Sequence, residues 1–371
     1  MPFLAIIFWV FIGVVLIQLG YYTVFLISYA MKPPNPSVNH EALGISVIVC
    51  AKNEADNLRT HIPSIIHQHY ENFEVVLVND NSSDDTLEVM EEFSQLYAGV
   101  RLVNVKHVES FWGNKKYALT LGIKAASKSY LVFTDADCAP RTENWLREIA
   151  GRFSHEKRII IGYGAYEEVK NSILNKLIRF ETLFTAVQYF SYANLGIPYM
   201  GVGRNLAYHK DVFFDNAGYI KHMDVLSGDD DLFINQVASK VNVAIADSLD
   251  SITVSKPKQE FVQWFQQKRR HITTSQHYKW SHKLMLGMFY ASQLGFVVLA
   301  VLLLLEAYMW PYVAGMIVLR FLVSSLVILK VSKKLAERGL LLLAPFLELV
   351  LILTQFCIFS TNLISKPKHW N

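Results

Sequence analysis

The chain has 371 residues, and its 35 Lys and Arg exceed its 32 Asp and Glu by only three. So small a net charge carries no general nucleic-acid-binding signature. The apolar fraction of 52% and the mean hydropathy of +0.24 are high for a soluble protein and indicate membrane segments. The three cysteines lack metal-ligand spacing, which fits a reducing cytosol and argues against a disulfide scaffold or a zinc site.

The first predicted element is a membrane anchor over residues 3–31. This stretch is uncharged and long enough to cross a hydrocarbon layer of about 30 Å. It lacks the basic start, short apolar core and small-residue cleavage site of a signal peptide, so we expect it to be retained. The proline-rich residues 33–36 end the helix and begin a linker, which sets the first domain boundary at residue 36.

Strand-like and helical patterns alternate from Gly44 onward. Apolar runs predict strands at 45–51, 73–80, 100–105 and 130–136, and helical spacing predicts helices at 53–68, after Asp84 and around 114–126. Strands without polar alternation, joined by helices, are typical of a buried parallel sheet, whose ligands bind beyond the carboxyl ends of its strands. Neither GxGxxG nor GxxxxGK[ST] occurs, so the dinucleotide-binding and P-loop classes lack their phosphate loops.

Acidic residues follow two of these predicted strands. Asp135 and Asp137 are alternate residues of an extended segment, so their carboxylates face the same side. Such a pair suits Mg²⁺ or Mn²⁺, which complete their shell with substrate phosphate oxygens, although a solvated turn is the other interpretation. Asp80 could accept hydrogen bonds from a base or ribose, but the surrounding NDNSSDD is equally typical of a turn.

Two charged clusters follow towards the C-terminus. Repulsion within the acid run at 229–231 can raise one carboxyl pKa and prepare a general base, whereas acids also favour the first turn of a helix. Gln267 and Arg270 belong to QKRRH, which comes after the amphipathic stretch FVQWFQQ. These cations suit either a departing diphosphate or a helix that meets anionic lipid headgroups.

Three further apolar stretches, at 284–305, about 311–329 and about 340–364, predict membrane helices. The basic residues 330–339 between the last two predict a cytoplasmic loop, and therefore a cytoplasmic soluble region at 37–283. The tail KPKHWN fits a four-span arrangement less well, so one stretch is alternatively interfacial or re-entrant. Isolated polar residues in the spans, such as Gln18, Glu306, Glu348 and Gln355, disfavour a channel or transporter.

Taken in order, the motifs resemble the membrane-bound family 2 glycosyltransferases, the group that contains cellulose, chitin and hyaluronan synthases and ceramide glucosyltransferase. The resemblance covers about residues 44–283. It implies an α/β fold of glycosyltransferase-A type, a Rossmann-like nucleotide-diphospho-sugar transferase domain at 37–283, followed by a transmembrane region at 284–371. The donor-side motifs SVIVCAKNEADNL, VVLVNDNSSDDT and GNKKYALTLGIKAA imply donor contacts by Ala51, Asn53, Glu54, Asp80 and one of Lys115 and Lys116.

The remaining motifs imply the metal, acceptor and catalytic residues. TDADC matches the DxD metal motif at Asp135 and Asp137, and Asp135 is also expected near the substrate. GVGRNLAYHK resembles the acceptor-side segment with Arg204 and Asn205. SGDDDLF resembles the ED/GDD element, in which Asp229 precedes the expected base, Asp230.

The last motif departs from the family pattern at one position. Gln267 and Arg270 match QxxRW as catalytic residues, flanked by the expected substrate contacts Arg269 and His271. His271 replaces the family's Trp, which lines the acceptor path, so acceptor fit or processivity could differ.

The resemblance implies an inverting transfer that uses Mg²⁺ or Mn²⁺ and a nucleotide-diphosphate sugar, at the cytoplasmic face of a bacterial plasma membrane. We expect a single transfer to a lipid or lipid-linked glycan, since three or four spans are few for a polymer channel. A processive polysaccharide synthase is the alternative, and a non-catalytic nucleotide-binding membrane scaffold is the hypothesis from another class. The sugar, the base, the acceptor and the oligomeric state stay open.

Overall fold

The structure is a computed structural model that describes residues 2–33, 43–106, 115–225 and 227–365. Parts of three predicted features lie outside the described residues: the linker residues 34–36, the start of the helix around residue 114, and the tail at 366–371.

The strands of the described chain form two sheets. The ten strands are β1 (Ile45–Ala51), β2 (Phe73–Asp80), β3 (Val100–Val105), β4 (Tyr130–Asp135), β5 (Cys138–Pro140), β6 (Ile159–Gly162), β7 (Gly164–Tyr166), β8 (Leu206–His209), β9 (Val243–Ala246) and β10 (Thr253–Ser255). The larger sheet has the order β3-β2-β1-β4-β8-β6-β9, and the smaller one has the order β5-β10-β7.

Twelve α-helices lie in the described ranges. They are α1 (Pro2–Phe25), α2 (Ala55–Ile66), α3 (Thr86–Leu96), α4 (Lys115–Ala125), α5 (Trp145–Ala150), α6 (Ile173–Asn194), α7 (Lys210–Asp215), α8 (Asp231–Val237), α9 (Phe261–Thr274), α10 (Trp280–Leu305), α11 (Trp310–Lys334) and α12 (Ala344–Ile364). Three of the predicted strands match the structure to the residue, and the fourth ends one residue early, at Asp135.

The chain divides into two compact units. The α/β unit comprises the described residues of 34–168 and 195–258 and holds both sheets. The helical unit comprises those of 1–33, 169–194 and 259–368 and therefore includes α6 and α9 as well as the long apolar helices. The predicted catalytic domain at 37–283 would take α6 and α9 instead, and those boundaries stay a prediction.

The α/β unit is built around the parallel strands β1 to β4. Val47, Val49 and Leu77 are fully buried, as continuous apolar strands covered on both faces must be. Helix α4 packs closely on this sheet because Gly122 has no side chain; a Cβ there would lie 2.6 Å from a Val78 methyl carbon. The expected α/β fold is confirmed.

The strand order contains a topological switch point. From β1 the chain runs outward through β2 and β3, and then returns to place β4 on the other side of β1. The parallel register sets Cys50 of β1 opposite Asp135 of β4. Ligands of open α/β sheets bind beyond the strand ends at such a point, so Asp135 lies where a site is expected.

The helical unit contains helices long and apolar enough to cross a membrane. Among the described residues there are four: Pro2–Ala30, Trp280–Leu305, Trp310–Lys334 and Leu341–Ile364. The predicted membrane helices are therefore confirmed as candidates. The basic stretch at 330–339 is only partly a loop, because α11 continues through Lys334.

A buried polar network joins the four candidate spans. Arg320 of α11 donates to both carboxylate oxygens of Glu348 in α12, to Gln18 Oε1 at 2.8 Å and to the Tyr22 hydroxyl at 3.0 Å in α1. From α10, Gln293 donates to Glu348 at 3.2 Å. The expectation that Gln18 and Glu348 are isolated is wrong, because residues far apart in sequence meet inside the helix bundle.

Candidate active site

The turns that follow β1 and β2 are tied together by hydrogen bonds. Asn53, in the left-handed region at φ 57°, donates its N–H to Ser82 Oγ at 3.0 Å and accepts from the Ser83 N–H at 2.8 Å. The Glu54 N–H donates to Thr86 Oγ1 at 2.8 Å. These bonds give the two expected donor-binding turns one fixed arrangement at the carboxyl edge of the sheet.

Asp80 ends β2 at this edge and is partly buried. Burial raises the pKa of its carboxyl, against the opposing effect of Lys52 and Lys115. Ala51, which ends β1, is buried, so its side chain belongs to the core and only its backbone remains for a ligand. Of these two expected donor contacts, Asp80 is the one with a polar side chain at the edge.

The DxD segment forms a compact group of possible metal ligands. One ligand atom from each of Asp135, Asp137 and Cys138 lies within 4.8 Å of the others. Burial and the nearby carboxylates raise the pKa of the Cys138 thiol well above its ordinary value, so the thiol stays protonated and its Sγ lies 3.3 Å from Asp137 Oδ1. Burial and Asp135 also raise the pKa of Asp137. Two carboxylates that repel each other, without a thiolate, fit a hard divalent cation such as Mg²⁺ or Mn²⁺.

Lys115 connects the DxD segment with the acid run. Its Nζ lies 2.9 Å from Asp135 Oδ1 and 3.3 Å from Asp229 Oδ2. Burial lowers the pKa of this ammonium, but the two carboxylates outweigh burial and hold the pKa well above its ordinary value. Acids 94 residues apart in the sequence therefore share one cation in the same pocket.

Asp230 lines that pocket together with Lys115, Asp135 and Asp229. Its Oδ2 accepts from the Gly203 N–H at 2.6 Å, and its Oδ1 accepts from the Asp231 N–H at 2.7 Å at the start of α8. Burial and the charge of Asp229 nevertheless raise the pKa of Asp230 to about 8. A carboxylate held in this way is oriented and basic enough to take a proton near neutral pH.

The sequence left open which of Lys115 and Lys116 contacts the donor, and the structure distinguishes the two. Lys115 faces the acids, whereas the adjacent Lys116 is 1% exposed and donates to the backbone carbonyls of His222, Val225 and Ser227 at 2.6–2.7 Å. Its three ammonium donors are thereby used within the protein. A phosphate contact from Lys116 therefore has no support in this geometry, because the side chain is enclosed and its ammonium binds these three carbonyls.

Arg204 and Asn205 hold the segment expected on the acceptor side in place. The Arg204 guanidinium donates to Ser255 Oγ at 2.8 Å and to the Gly164 carbonyl at 2.6 Å. Asn205 is fully buried and donates to the carbonyls of Tyr163 and Ser251. Asn205 thus has no surface for a substrate, and the residue of this segment that touches the candidate base is Gly203, which the sequence showed only as part of a glycine-containing turn.

The QxxRW-like residues lie on α9 in the helical unit. Gln267 and Arg270 are partly exposed and one helical turn apart, and His271 is exposed. Arg269 donates to Asn362 Oδ1 at 2.8 Å and to the Ser365 carbonyl at 2.6 Å, which ties α9 to the end of α12. The catalytic and substrate roles of these four residues stay predictions.

Comparison with known proteins gives this site a context. A family model described as glycosyl transferase family 2 matches residues 46–213 and ends before the acid run. An uncharacterized glycosyltransferase of Haemophilus influenzae is 33% identical over 125 residues, which are 34% of this chain and 37% of that protein.

Two relatives with more specific names are also similar in part. The poly-beta-1,6-N-acetyl-D-glucosamine synthase of Staphylococcus epidermidis is 31% identical over 27% of this chain and 23% of that protein. The cholesterol galactosyltransferase of Borreliella burgdorferi is 27% identical over 25% of each. The alignments with the first curated relatives span little more than a third of the relatives' length.

A solved structure extends the likeness of fold to nearly the whole chain. The mannosyltransferase PcManGT from Pyrobaculum calidifontis, in complex with GDP-Man and Mn²⁺, superposes with a TM-score of 0.57. The superposition covers 91% of this chain and 99% of that one at 16% identity, which supports the glycosyltransferase-A type of fold.

Proposed function

We propose that this chain, whose residues 46–213 match the family model of glycosyl transferase family 2, moves a sugar from a nucleotide-diphosphate sugar to a hydroxyl acceptor at a membrane. The observation that carries the proposal is the meeting of Asp135, Asp229 and Asp230 around Lys115, at the carboxyl edge of a parallel sheet. This arrangement offers an oriented base and a cation in one pocket.

Asp230 is the proposed general base. Its carboxylate takes the proton from the acceptor hydroxyl while that oxygen forms a bond to the anomeric carbon. The bond between the anomeric carbon and the phosphate oxygen breaks, and its electron pair leaves with the nucleoside diphosphate. Attack from the side opposite the leaving group inverts the anomeric configuration.

Cations neutralise the negative charge on the leaving group. Lys115 would donate to a diphosphate oxygen, because its ammonium already lies between the two acid clusters. Asp135 and Asp137 would hold Mg²⁺ or Mn²⁺, which supplies charge neutralisation at the diphosphate when bound. From their QxxRW-like motif, we also assign Arg270 and Gln267 to stabilisation of the leaving diphosphate. Asp80, Asn53 and Glu54 would contact the nucleoside.

We propose a lipid or lipid-linked glycan as the acceptor, in a single transfer. The four candidate spans and the sterol substrate in the name of one relative support it. The exposed His271, where the family has Trp, weakens the analogy with polymer synthases. The basic residues near 330–339 favour a cytoplasmic location for the α/β unit, at a bacterial plasma membrane.

The test measures nucleotide release by detergent-purified protein from a panel of nucleotide sugars, with Mn²⁺, Mg²⁺ or EDTA and a membrane lipid extract. We expect release from one donor that EDTA stops and that Asp137→Asn lowers at least about 100-fold. Asp215→Asn, an identical change at an exposed acid of α7, is the matched control and should keep full activity. Release that is insensitive to EDTA and to Asp137→Asn would refute the metal assignment.

A processive polysaccharide synthase is the second candidate, favoured by the similarity to a poly-beta-1,6-N-acetyl-D-glucosamine synthase. The two candidates differ in product length on one acceptor. A product that stops after one added sugar supports the single transfer, and a ladder of products at limiting acceptor supports the synthase.

A further inference from the structure

Two adjacent lysines at the start of α4 point in different directions. Lys115 reaches the carboxylates of Asp135 and Asp229, and Lys116 reaches three carbonyls of the segment that leads into the acid run. Neighbouring residues on a helix point about 100° apart, so both contacts fit one rigid helix start. The start of α4 thus holds the acid run at two points. Lys115 binds the Asp229 side chain, and Lys116 binds the backbone just before the run.

The geometry around Lys116 suits an ammonium group in particular. The carbonyl oxygens of His222, Val225 and Ser227 lie 2.7, 2.6 and 2.7 Å from Nζ, which matches the three donors of an ammonium. A guanidinium is planar and larger, and an amide has only two N–H donors. Removing the ammonium would leave three carbonyls without this partner, beside a group that is 1% exposed.

The chain between this contact and the candidate base is short. Only Gly228 separates Ser227 from Asp229, and Gly228 has a φ of +93°, which L side chains rarely adopt. A Cβ at Gly228 would also lie 2.5 Å from a Leu232 methyl carbon. A shift of the Ser227 carbonyl is therefore passed to Asp229 and Asp230 through a single constrained residue.

We propose that Lys116 is a positioning residue: its ammonium, bound to the carbonyls of His222, Val225 and Ser227, holds the acid run so that Asp230 stays in reach of the Gly203 N–H and the acceptor hydroxyl. The role rests on the proposed function, because it acts through the proposed base. It differs from the phosphate contact that the sequence suggested for Lys116, since the buried ammonium binds backbone carbonyls of the protein.

The first test compares Lys116→Met with the wild-type protein in the nucleotide-release assay. We expect kcat to fall at least about tenfold, since a displaced base loses geometry that proximity effects require, while nucleotide Kd and KM stay within about twofold. Lys124→Met makes the same chemical change at an exposed position of α4 and should leave all three values unchanged. In Lys116→Ala, added n-propylammonium should restore part of kcat, which it cannot do for a variant that is merely misfolded.

The second test measures amide hydrogen exchange in peptides that cover residues 227–231, and it does not depend on activity. Lys116→Met should exchange at least about tenfold faster there, with unchanged exchange in β1 and β2. If wild-type protein transfers no sugar, the proposed function fails, and exchange still decides whether Lys116 holds the acid run. If Lys116→Met does not fold, Lys116→Gln, which keeps two donors, replaces it. Unchanged kcat together with unchanged exchange in a folded variant would overturn the proposal.

Discussion

Two buried cations, one in each unit, are stabilised in opposite ways. Lys116 of the α/β unit is 1% exposed and donates to three backbone carbonyls of one irregular segment. Arg320 of the helical unit is equally buried and donates to the carboxylate of Glu348 and to two side chains of α1. The Lys116 ammonium is stabilised by backbone carbonyl dipoles, and the Arg320 guanidinium is stabilised by the opposite charge of Glu348.

The difference follows from where the backbone has carbonyl oxygens that do not already accept a hydrogen bond. Inside a helix the carbonyls already accept the N–H groups four residues on, so a cation among packed helices must find side-chain partners. An irregular segment leaves carbonyls available, and these can surround an ammonium without a bound acid. The Lys116 contact therefore depends on backbone conformation near the candidate active site, and the Arg320 contact depends on which helices assemble.

The largest effect should come from removing the counter-charge in the helical unit. Glu348→Gln leaves Arg320 buried beside a neutral side chain, and breaking a buried pair in this way costs about 3–5 kcal/mol. We expect this loss in the free energy of unfolding, measured in detergent. The double change Arg320→Met with Glu348→Met should cost much less than the single change, and Glu306→Gln, at an exposed position, should cost little. Equal losses for the single and double variants would show that the pair is not what the single change disrupts.

The next effect concerns Asp230, the proposed base in the α/β unit. Asp230→Asn should lower transfer by about 10²–10⁴-fold and spare nucleotide binding, because only proton removal is lost. The folded-state pKa of Asp230 is raised to about 8, so its ionised form is disfavoured in the fold and its contribution to stability falls as pH rises through about 8. Asp230→Asn should therefore raise Tm relative to wild type more at pH 9 than at pH 6. An unchanged Tm difference between these pH values would contradict the pKa assignment, and Asp215→Asn serves as the control.

A smaller effect is expected from exchanging one cation for the other in the helical unit. Arg320→Lys keeps the charge but loses the planar fork that meets both oxygens of Glu348. We expect a loss of about 1–2 kcal/mol in the free energy of unfolding. A loss as large as that of Glu348→Gln would mean that geometry matters as much as charge in this network. Comparing the two variants in one detergent measures this directly.

The smallest effect is a shift in pH dependence. After burial, the charge of Asp229 is the next cause of the raised pKa of Asp230, so Asp229→Asn should move the rising limb of kcat/KM from near pH 8 to lower pH by roughly one unit. The limb moves to lower pH because the base must be deprotonated, and removing the negative charge of a neighbour makes deprotonation easier. The profile from pH 6 to 9.5 measures the shift independently of any fall in kcat. A limb that stays in place would assign the limiting ionisation to another group.

Much of the fold follows from local sequence pattern. The strands at 45–51, 73–80 and 100–105 are predicted to the residue, because each is rich in Val, Ile, Leu or Phe and is bounded by Gly or polar residues. The candidate spans are found equally well, since length and hydropathy are properties of a segment alone. Helix ends are less exact. The basic residues from Lys330 onward predicted a loop, but α11 continues to Lys334, because basic side chains are also favourable in the last turn of a helix.

The sequence by itself determined which acids follow strands, where the apolar helices run and which family the motifs resemble. Only the tertiary structure decided that Lys115 and not Lys116 faces those acids, that the Gly203 N–H binds Asp230, and that Arg320 meets Glu348 and Gln18. The physical reason is the distance along the chain over which the deciding contacts act. A strand or a span is specified by neighbours in the chain, whereas adjacent helical residues face different surroundings, and a buried charge finds its partners only when distant segments pack.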